Sequence, residues 1–380
     1  MTEKLYYKDA YIKEFYASVI SSNKCEGGFD TILDKTAFFP KEGGQSADTG
    51  SIADARVLDV YEEGGTVHHI TDREASGENI LCKLDFESRF DKMQCHTAEH
   101  ILCGIIHRLF GLDNVGFHIG ECEVTFDISA PLSREELDRV ELLANRVVFA
   151  NIRVDTYFPD SDELAALEYR SKLELSENVR IVKIGDVDSC ACCAPHVAYT
   201  GEIGLIKILE AMKHRGGMRI WIVAGERALL DYRKKYENIK EISAALSVPQ
   251  HTTADALEKY MADTDNSKRE NKSLRRSLAE ARADAVEYTD KNAVFFFEGF
   301  SIEELRYFVN AAAGKASGML VALGGNAGDY KYVITSDSVN LSEKIKEINA
   351  ALSGRGGGKP NAVQGSFGAS LDEILAFFNS

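Results

Sequence analysis

Two pairs of metal-type side chains, each spaced four residues apart, constrain this chain more than any other feature. His96 and His100 stand in His96-Thr97-Ala98-Glu99-His100, within a stretch where Met93, His96, Ala98, His100, Ile101, Ile105 and Leu109 set a 3.6-residue period. On a helix, residues four apart share a face with Cβ atoms roughly 5–6 Å apart, so two imidazoles can reach one ion. Far downstream, Cys192-Cys193-Ala194-Pro195-His196 repeats the spacing with a thiol and a third imidazole. Either pair alone is weak, because a His pair on a helix is more often packing or surface. Together, His96, His100, Cys192 and His196 offer three imidazoles and one thiolate, a set that suits a single zinc ion. Cys190 and Cys193 flank the second pair and stand as competing thiols. Both halves sit beside apolar sequence, so a partly shielded site is expected.

Eight cysteines in 380 residues without a signal-peptide pattern read as reduced thiols rather than a disulfide framework. Apolar runs such as 293–297 and 319–323 are far too short to span a bilayer, so a soluble, cytoplasmic protein is expected. The net charge of −16 opposes a nucleic-acid partner unless basic residues are concentrated locally. Two stretches do so: 227–282, with Arg275 and Arg276, and 355–359, with Arg355 and Lys359. A solvated helix face explains the first stretch equally well.

The pattern predicts an α+β fold in four parts. Residues 1–90 alternate short β-rich runs (12–18, 28–33, 66–70, 79–84) with glycine-pair turns, a small β-barrel-like unit. Residues 91–225 carry the metal-type pairs, with helices from about Asp91 and over 133–151 and strands at 179–184 and 220–223. Ser133 and Glu136 stand at capping-box spacing. Residues 226–290 read as a helical arm broken at Pro249, either two antiparallel helices or a coiled coil. Residues 291–380 read β-α-β-β-α, then a glycine loop at 354–360 and a last helix from Ser370, a separate small α/β domain.

The paired motifs resemble the zinc-site motifs shared by the editing domains of alanyl- and threonyl-tRNA synthetases and the freestanding AlaX proteins. The resemblance places His96, His100, Cys192 and His196 on the family's four metal positions. The segment Gly43-Gly44-Gln45, followed by Asp48-Thr49-Gly50, resembles the glycine-rich segment of alanyl-type editing domains, which threonyl-type domains lack. Gly354-Arg355-Gly356-Gly357-Gly358-Lys359-Pro360 resembles the signature of the DHH-associated domain that closes alanyl-tRNA synthetases and the long AlaX form. Here Cys193, Ala194 and Pro195 stand where members usually carry two glycines and a threonine.

The resemblance implies a trans-editing hydrolase that cleaves the ester of Ser-tRNA(Ala) or Gly-tRNA(Ala). Gln45 is then the catalytic polar group of the pocket. Gly43 and Gly44 let backbone approach the substrate, and Thr36 senses a serine hydroxyl. The segment from about 290 onward is expected to support tRNA binding or a homodimer, with Arg275, Arg276, Arg355 and Lys359 as weaker tRNA contacts. The competing reading is a non-enzymatic, zinc-stabilised RNA-binding module. A DHH-type phosphoesterase is excluded, since no Asp-His-His occurs in the chain.

Overall fold

Strand residues near the N-terminus alternate sides, as in Phe15 and Ala17 buried between exposed Glu14 and Tyr16, and this alternation builds a half-solvated sheet. In the computed structural model, which describes residues 1–120, 123–171, 179–326 and 329–379, that sheet has seven antiparallel strands. Their order is 14–17, 80–84, 50–52, 55–63, 66–71, 28–33 and 19–25. The order is open: 14–17 and 19–25 lie at opposite edges. Phe38, Ile52, Val57, Val60, Val67 and Cys82 form its core.

The described residues fall into two compact units, Met1–Ile239 and Lys240–Ser380. In the first, helix α1 (Phe86–Phe110) begins five residues before the expected Asp91. Asp85 caps it by accepting from the Ser88 amide, and Gly111 closes it at φ +66° with its amide on the His107 carbonyl. Buried residues run almost unbroken from Met93 to Ile106, on every side of the helix. A helix apolar all round is a core helix. It packs with α2 (Arg134–Phe149) and a four-stranded antiparallel sheet of 114–119, 124–128, 217–224 and 206–214. The predicted capping box forms at Ser133 and Glu136. A three-stranded sheet, 154–157, 181–184 and 188–191, precedes the Cys-His segment, with short helix α3 (Ser161–Ala166) beside it in sequence.

Helix α4 (Glu226–Leu246) carries the division between the units, and α5 (Thr253–Asp284) follows the predicted break at Pro249. The second unit holds a five-stranded sheet with α6 (Ile302–Ala311), α7 (Leu341–Ala351) and α8 (Leu371–Asn379). Its first pair, 293–298 with 320–326, is parallel and the rest are antiparallel. The glycine run expected as a loop is instead an edge strand, Arg355–Lys359, paired with Ala362–Phe367. The reason is steric: a Cβ at Gly356 or Gly358 would lie 2.3 Å from a backbone oxygen of the neighbouring strand. Among the described residues no helix is long and apolar enough to cross a membrane.

Candidate metal centre

Helix α1 projects His96 and His100 from one face, and the segment after strand 188–191 brings Cys192 and His196 to meet them. The four donor atoms all lie within 4.8 Å of one another. Cys192 Sγ stands 3.6 Å from His96 Nε2 and 3.4 Å from His196 Nε2. The three imidazoles are each at most 4% exposed. Four N and S donors converging in a buried space match a tetrahedral zinc-type set.

Each imidazole is oriented through its other nitrogen. His96 Nδ1 donates to Gln45 Oε1 at 3.0 Å, and His100 Nδ1 donates to Asp188 Oδ2 at 2.9 Å. Thr97 Oγ1 donates to the Met93 carbonyl at 2.7 Å, so it accepts from His196 Nδ1 at 3.0 Å. All three Nδ1 protons are therefore held on oxygen, which leaves three Nε2 lone pairs for an ion. Asp188 is itself gripped by Arg170, at 2.7 Å from Nε and 2.9 Å from Nη2.

The electrostatics favour a thiolate. Burial raises the Cys192 thiol, but His96, His100 and His196 outweigh it and hold the group well below the ordinary thiol range. Burial opposes charge on His100, but Cys190, Asp188 and Cys192 carry its pKa well above the usual imidazole value, so the surroundings favour a cation at Nε2, either a proton or the metal ion that displaces it. Cys190, buried in the same region, is pushed up to about 11 mainly by desolvation. Burial also pushes Cys193 upward. Of the three clustered cysteines, Cys192 joins the His group, while Cys190 lies with His100 and Asp188 in a second potential donor set. Cys193 faces Gly43, whose ideal Cβ would sit 3.8 Å from its sulfur.

The Gly-Gly-Gln segment forms a tight turn. Gly43 and Gly44 have φ of +61° and +86°, and Glu42 and Gln45 exchange backbone hydrogen bonds across them. Gly44 packs so closely that a Cβ would stand 2.4 Å from the Phe117 carbonyl, while the Phe117 ring lies 4.6 Å from that of His96. Gln45 is 1% exposed; its oxygen holds His96, and its amide nitrogen is buried with no hydrogen-bond partner among the described residues. Fully buried Arg89 of α1 anchors the segment through Asp48 Oδ2, from Nε at 2.9 Å and also from Nη2. Arg89 also donates to the Ala10 and Ala37 carbonyls, and Lys92 donates to the Ala47 carbonyl at 2.6 Å.

Other residues singled out in the sequence lie elsewhere. The Thr36 hydroxyl bonds His69 Nε2 at 2.8 Å and accepts from the Phe38 amide, engaging it inside the N-terminal sheet. His107 is exposed beside Asp113, and His214 ends a strand. In the second unit Arg275 pairs with Glu304 and Arg276 with Glu280. Arg355 and Lys359 lie on the exposed edge strand, and Arg355 helps line a cleft of about 390 Å³ with Lys331 and Ser366. Sequence reasoning missed Thr97, Glu99, Asp188, Arg170 and Arg89. Glu99 had one available signal, since it stands three residues after His96 on the same helical face.

The family described as "Threonyl and Alanyl tRNA synthetase second additional domain" matches residues 179–220, and the DHHA1 domain matches residues 290–380. The chain is similar to the alanyl-tRNA editing protein AlaX-L of Pyrococcus horikoshii, 28% identical over 99% of this chain and 97% of that one. It is also similar to the alanine–tRNA ligases of Ignicoccus hospitalis (30% identical) and Halobacterium salinarum (32% identical). In both cases it spans 40% of the ligase's length. The C-Ala domain of Aquifex aeolicus alanyl-tRNA synthetase matches 24% of the chain at 23% identity, with a TM-score of 0.22. The resemblance to the AlaX proteins of the long form thus runs the whole length of the chain.

Proposed function

We propose that this chain, alike end to end with a long-form alanyl-tRNA editing protein, is a hydrolase that cleaves the aminoacyl ester of mischarged tRNA(Ala), with Ser-tRNA(Ala) and Gly-tRNA(Ala) as substrates. The observation that carries the reading is the Gln45 side chain. A purely structural metal site needs only ligands and their orienting partners. Here the amide that orients His96 also holds a buried N–H group with no acceptor among the described residues. A buried unsatisfied donor is destabilising, so its retention points to a bound group that accepts from it.

In this reading His96, His100, Cys192 and His196 hold one zinc ion. Bound there, zinc supplies a Lewis acid for an ester carbonyl and lowers the pKa of a coordinated water. Gln45 Nε2 donates to the ester carbonyl or to the attacking water. The Gly43-Gly44 turn removes side chains from the approach to that amide, and the Arg89–Asp48 pair fixes the turn against the ligand helix. Alanine systems need such a hydrolytic check because a small pocket rejects an added hydroxyl only about 100-fold. Arg355 and Lys359 on the exposed glycine strand are suited to phosphate contact.

Deacylation of Ser-, Gly- and Ala-tRNA(Ala) by the pure protein tests the reading, with Ser-tRNA(Ser) as control. Selective release of serine or glycine from tRNA(Ala), abolished in Gln45→Ala with zinc retained, is expected. Equal inactivity on all four substrates would overturn it.

A further inference from the structure

The hairpin of strands 206–214 and 217–224 turns one face to the core through Ile206, Ile208, Ile220 and Ile222. By strand alternation the residues between them stand on the outer face of the four-stranded sheet. There Asp127, Arg219 and Met212 lie in one cross-strand row, and the turn of the hairpin follows. The segment from Lys213 to Arg219 carries Lys213, His214, Arg215 and Arg219 and no carboxylate, in a chain of net charge −16. Asp127 engages Arg219 at 2.7 and 2.8 Å and faces His214 Nε2 at 3.9 Å. Lys213 and Arg215 are exposed and make no salt bridge among the described residues. Arg215 also holds φ +46° beside Gly216 at +87°. A two-residue hairpin turn with both φ positive favours Asn, Asp or Gly. A long cation kept in that left-handed position is retained strain, and retained strain at an exposed tip points to a use. Glu210 and Glu123, which accepts from Trp221 Nε1 at 3.1 Å, belong to rows farther from the turn, so the surplus positive charge is confined to the tip.

We propose that this hairpin tip docks the phosphate backbone of the tRNA, an inference that rests on the editing reading above. Lys213 and Arg215 are the phosphate contacts, and the Arg219–Asp127 pair braces the strands beneath them. The charge selects the occupant. An acidic protein repels RNA over most of its surface, so a cluster of cations free of carboxylates sets where the backbone can approach. Each phosphate they neutralise releases condensed counterions, which gives the contact its affinity and its salt dependence. The tip belongs to the same compact unit as the four donor residues. It carries none of them, so contact there acts on the binding of tRNA and not on cleavage of the ester.

The test measures the Kd of the full chain for tRNA(Ala) across a salt series, together with cleavage of seryl-tRNA(Ala) and of a minimal seryl-adenosine ester. The double variant Lys213→Glu, Arg215→Glu should lower the salt slope by about 2, at roughly 0.9 per phosphate contact. Its Kd at low salt and its KM for seryl-tRNA(Ala) should rise at least about tenfold, with zinc content and cleavage of the minimal ester unchanged. Arg215→Gly should lower the slope by about 1 without lowering Tm, because glycine relieves the left-handed turn. An arginine that served only the turn would leave binding unmoved in that variant. An unchanged Kd and salt slope in the double variant overturns the proposal. So does an equal loss on the minimal ester, which would make the tip a support of the fold. A wild-type protein that releases serine while the double variant behaves identically sinks this inference alone, whereas a wild-type protein that cleaves neither ester sinks the editing reading.

Discussion

Replacing Asp48 with asparagine should destabilise the first unit far more than a loop substitution normally does. Asp48 is 1% exposed and Arg89 is fully buried, so the substitution leaves a guanidinium in the interior with only neutral acceptors. Breaking a buried pair by removing one charge costs about 3–5 kcal/mol. At roughly 2–4 °C per kcal/mol for a unit of this size, Tm should fall by roughly 6–20 °C. The same pair ties the Gly-Gly-Gln turn to the ligand helix, because Asp48 Oδ2 also accepts from the Phe39 amide at 2.7 Å. Deacylation by Asp48→Asn, measured well below its Tm, should therefore fall even where zinc content is full. Adding Arg89→Met should recover part of the stability but none of the activity, since the apolar side chain removes the stranded charge without re-anchoring the turn. Thermal and denaturant unfolding of the two variants and the wild type give the numbers. A loss below about 1 kcal/mol for Asp48→Asn, or a double variant less stable than the single, would refute the reasoning.

Cys192→Ala should abolish zinc binding, whereas Cys190→Ala and Cys193→Ala should keep close to one ion per chain by elemental analysis. Gly43→Ala should cost only about 1–2 kcal/mol, the left-handed penalty, since its Cβ meets nothing closer than the Cys193 sulfur at 3.8 Å. Gly44→Ala must also displace the Phe117 backbone 2.4 Å away, and should unfold at a clearly lower denaturant midpoint and lose activity. Burial holds His69 neutral, with its pKa lowered to about 4, so the unfolded chain takes up the extra proton as pH falls below about 6.5. Stability should be fully present above that pH, with up to about 3 kcal/mol lost by pH 4, and His69→Gln should flatten this part of the pH profile. Reversing charge at Arg355 and Lys359 should lower the salt slope of tRNA binding by about 2, at roughly 0.9 per phosphate contact, with zinc unchanged. Reversing Arg275 and Arg276 should do less, because each already pairs with a glutamate.

What was legible in the sequence was local. The strand 28–33 forms within its expected bounds, the Ser133–Glu136 capping box forms, and Pro249 breaks the helical stretch, because each depends on neighbours in sequence. The four donors were legible because one helical turn and a short loop write their spacing into the chain. Their supports were not. Arg170 and Asp188, or Arg89 and Asp48, read as ordinary surface charges until the fold removes water from both. The glycine strand read as a loop because glycine's low strand propensity hides a packing demand: the neighbouring strand approaches too closely for any Cβ. Glu99 was passed over because an acidic residue on a helix is usually solvated, and only the fold buries it.

The arrangement of the supports separates the editing reading from the zinc-stabilised RNA-binding module. In a module of that kind the metal supplies the folding energy and the ligands are loose without it. Here the three imidazoles are held by three separate parts of the unit: Gln45 from a turn tied to Arg89, Asp188 from a strand tied to Arg170, and Thr97 from the ligand helix itself. The helix that carries His96 and His100 is buried from Cys95 to Ile106, against an apolar core of sheet and helix. Ligands oriented by three separate supports are placed for geometry. Geometry matters to a site that must set a carbonyl against fixed groups, since small misplacements of reacting atoms lower rates steeply. The same logic accounts for the buried polar groups. Asp48 and Asp188 each have an arginine and serve the scaffold, whereas Gln45 presents a buried amide N–H with no hydrogen-bond partner among the described residues beside the donor cluster, where a substrate would complete it.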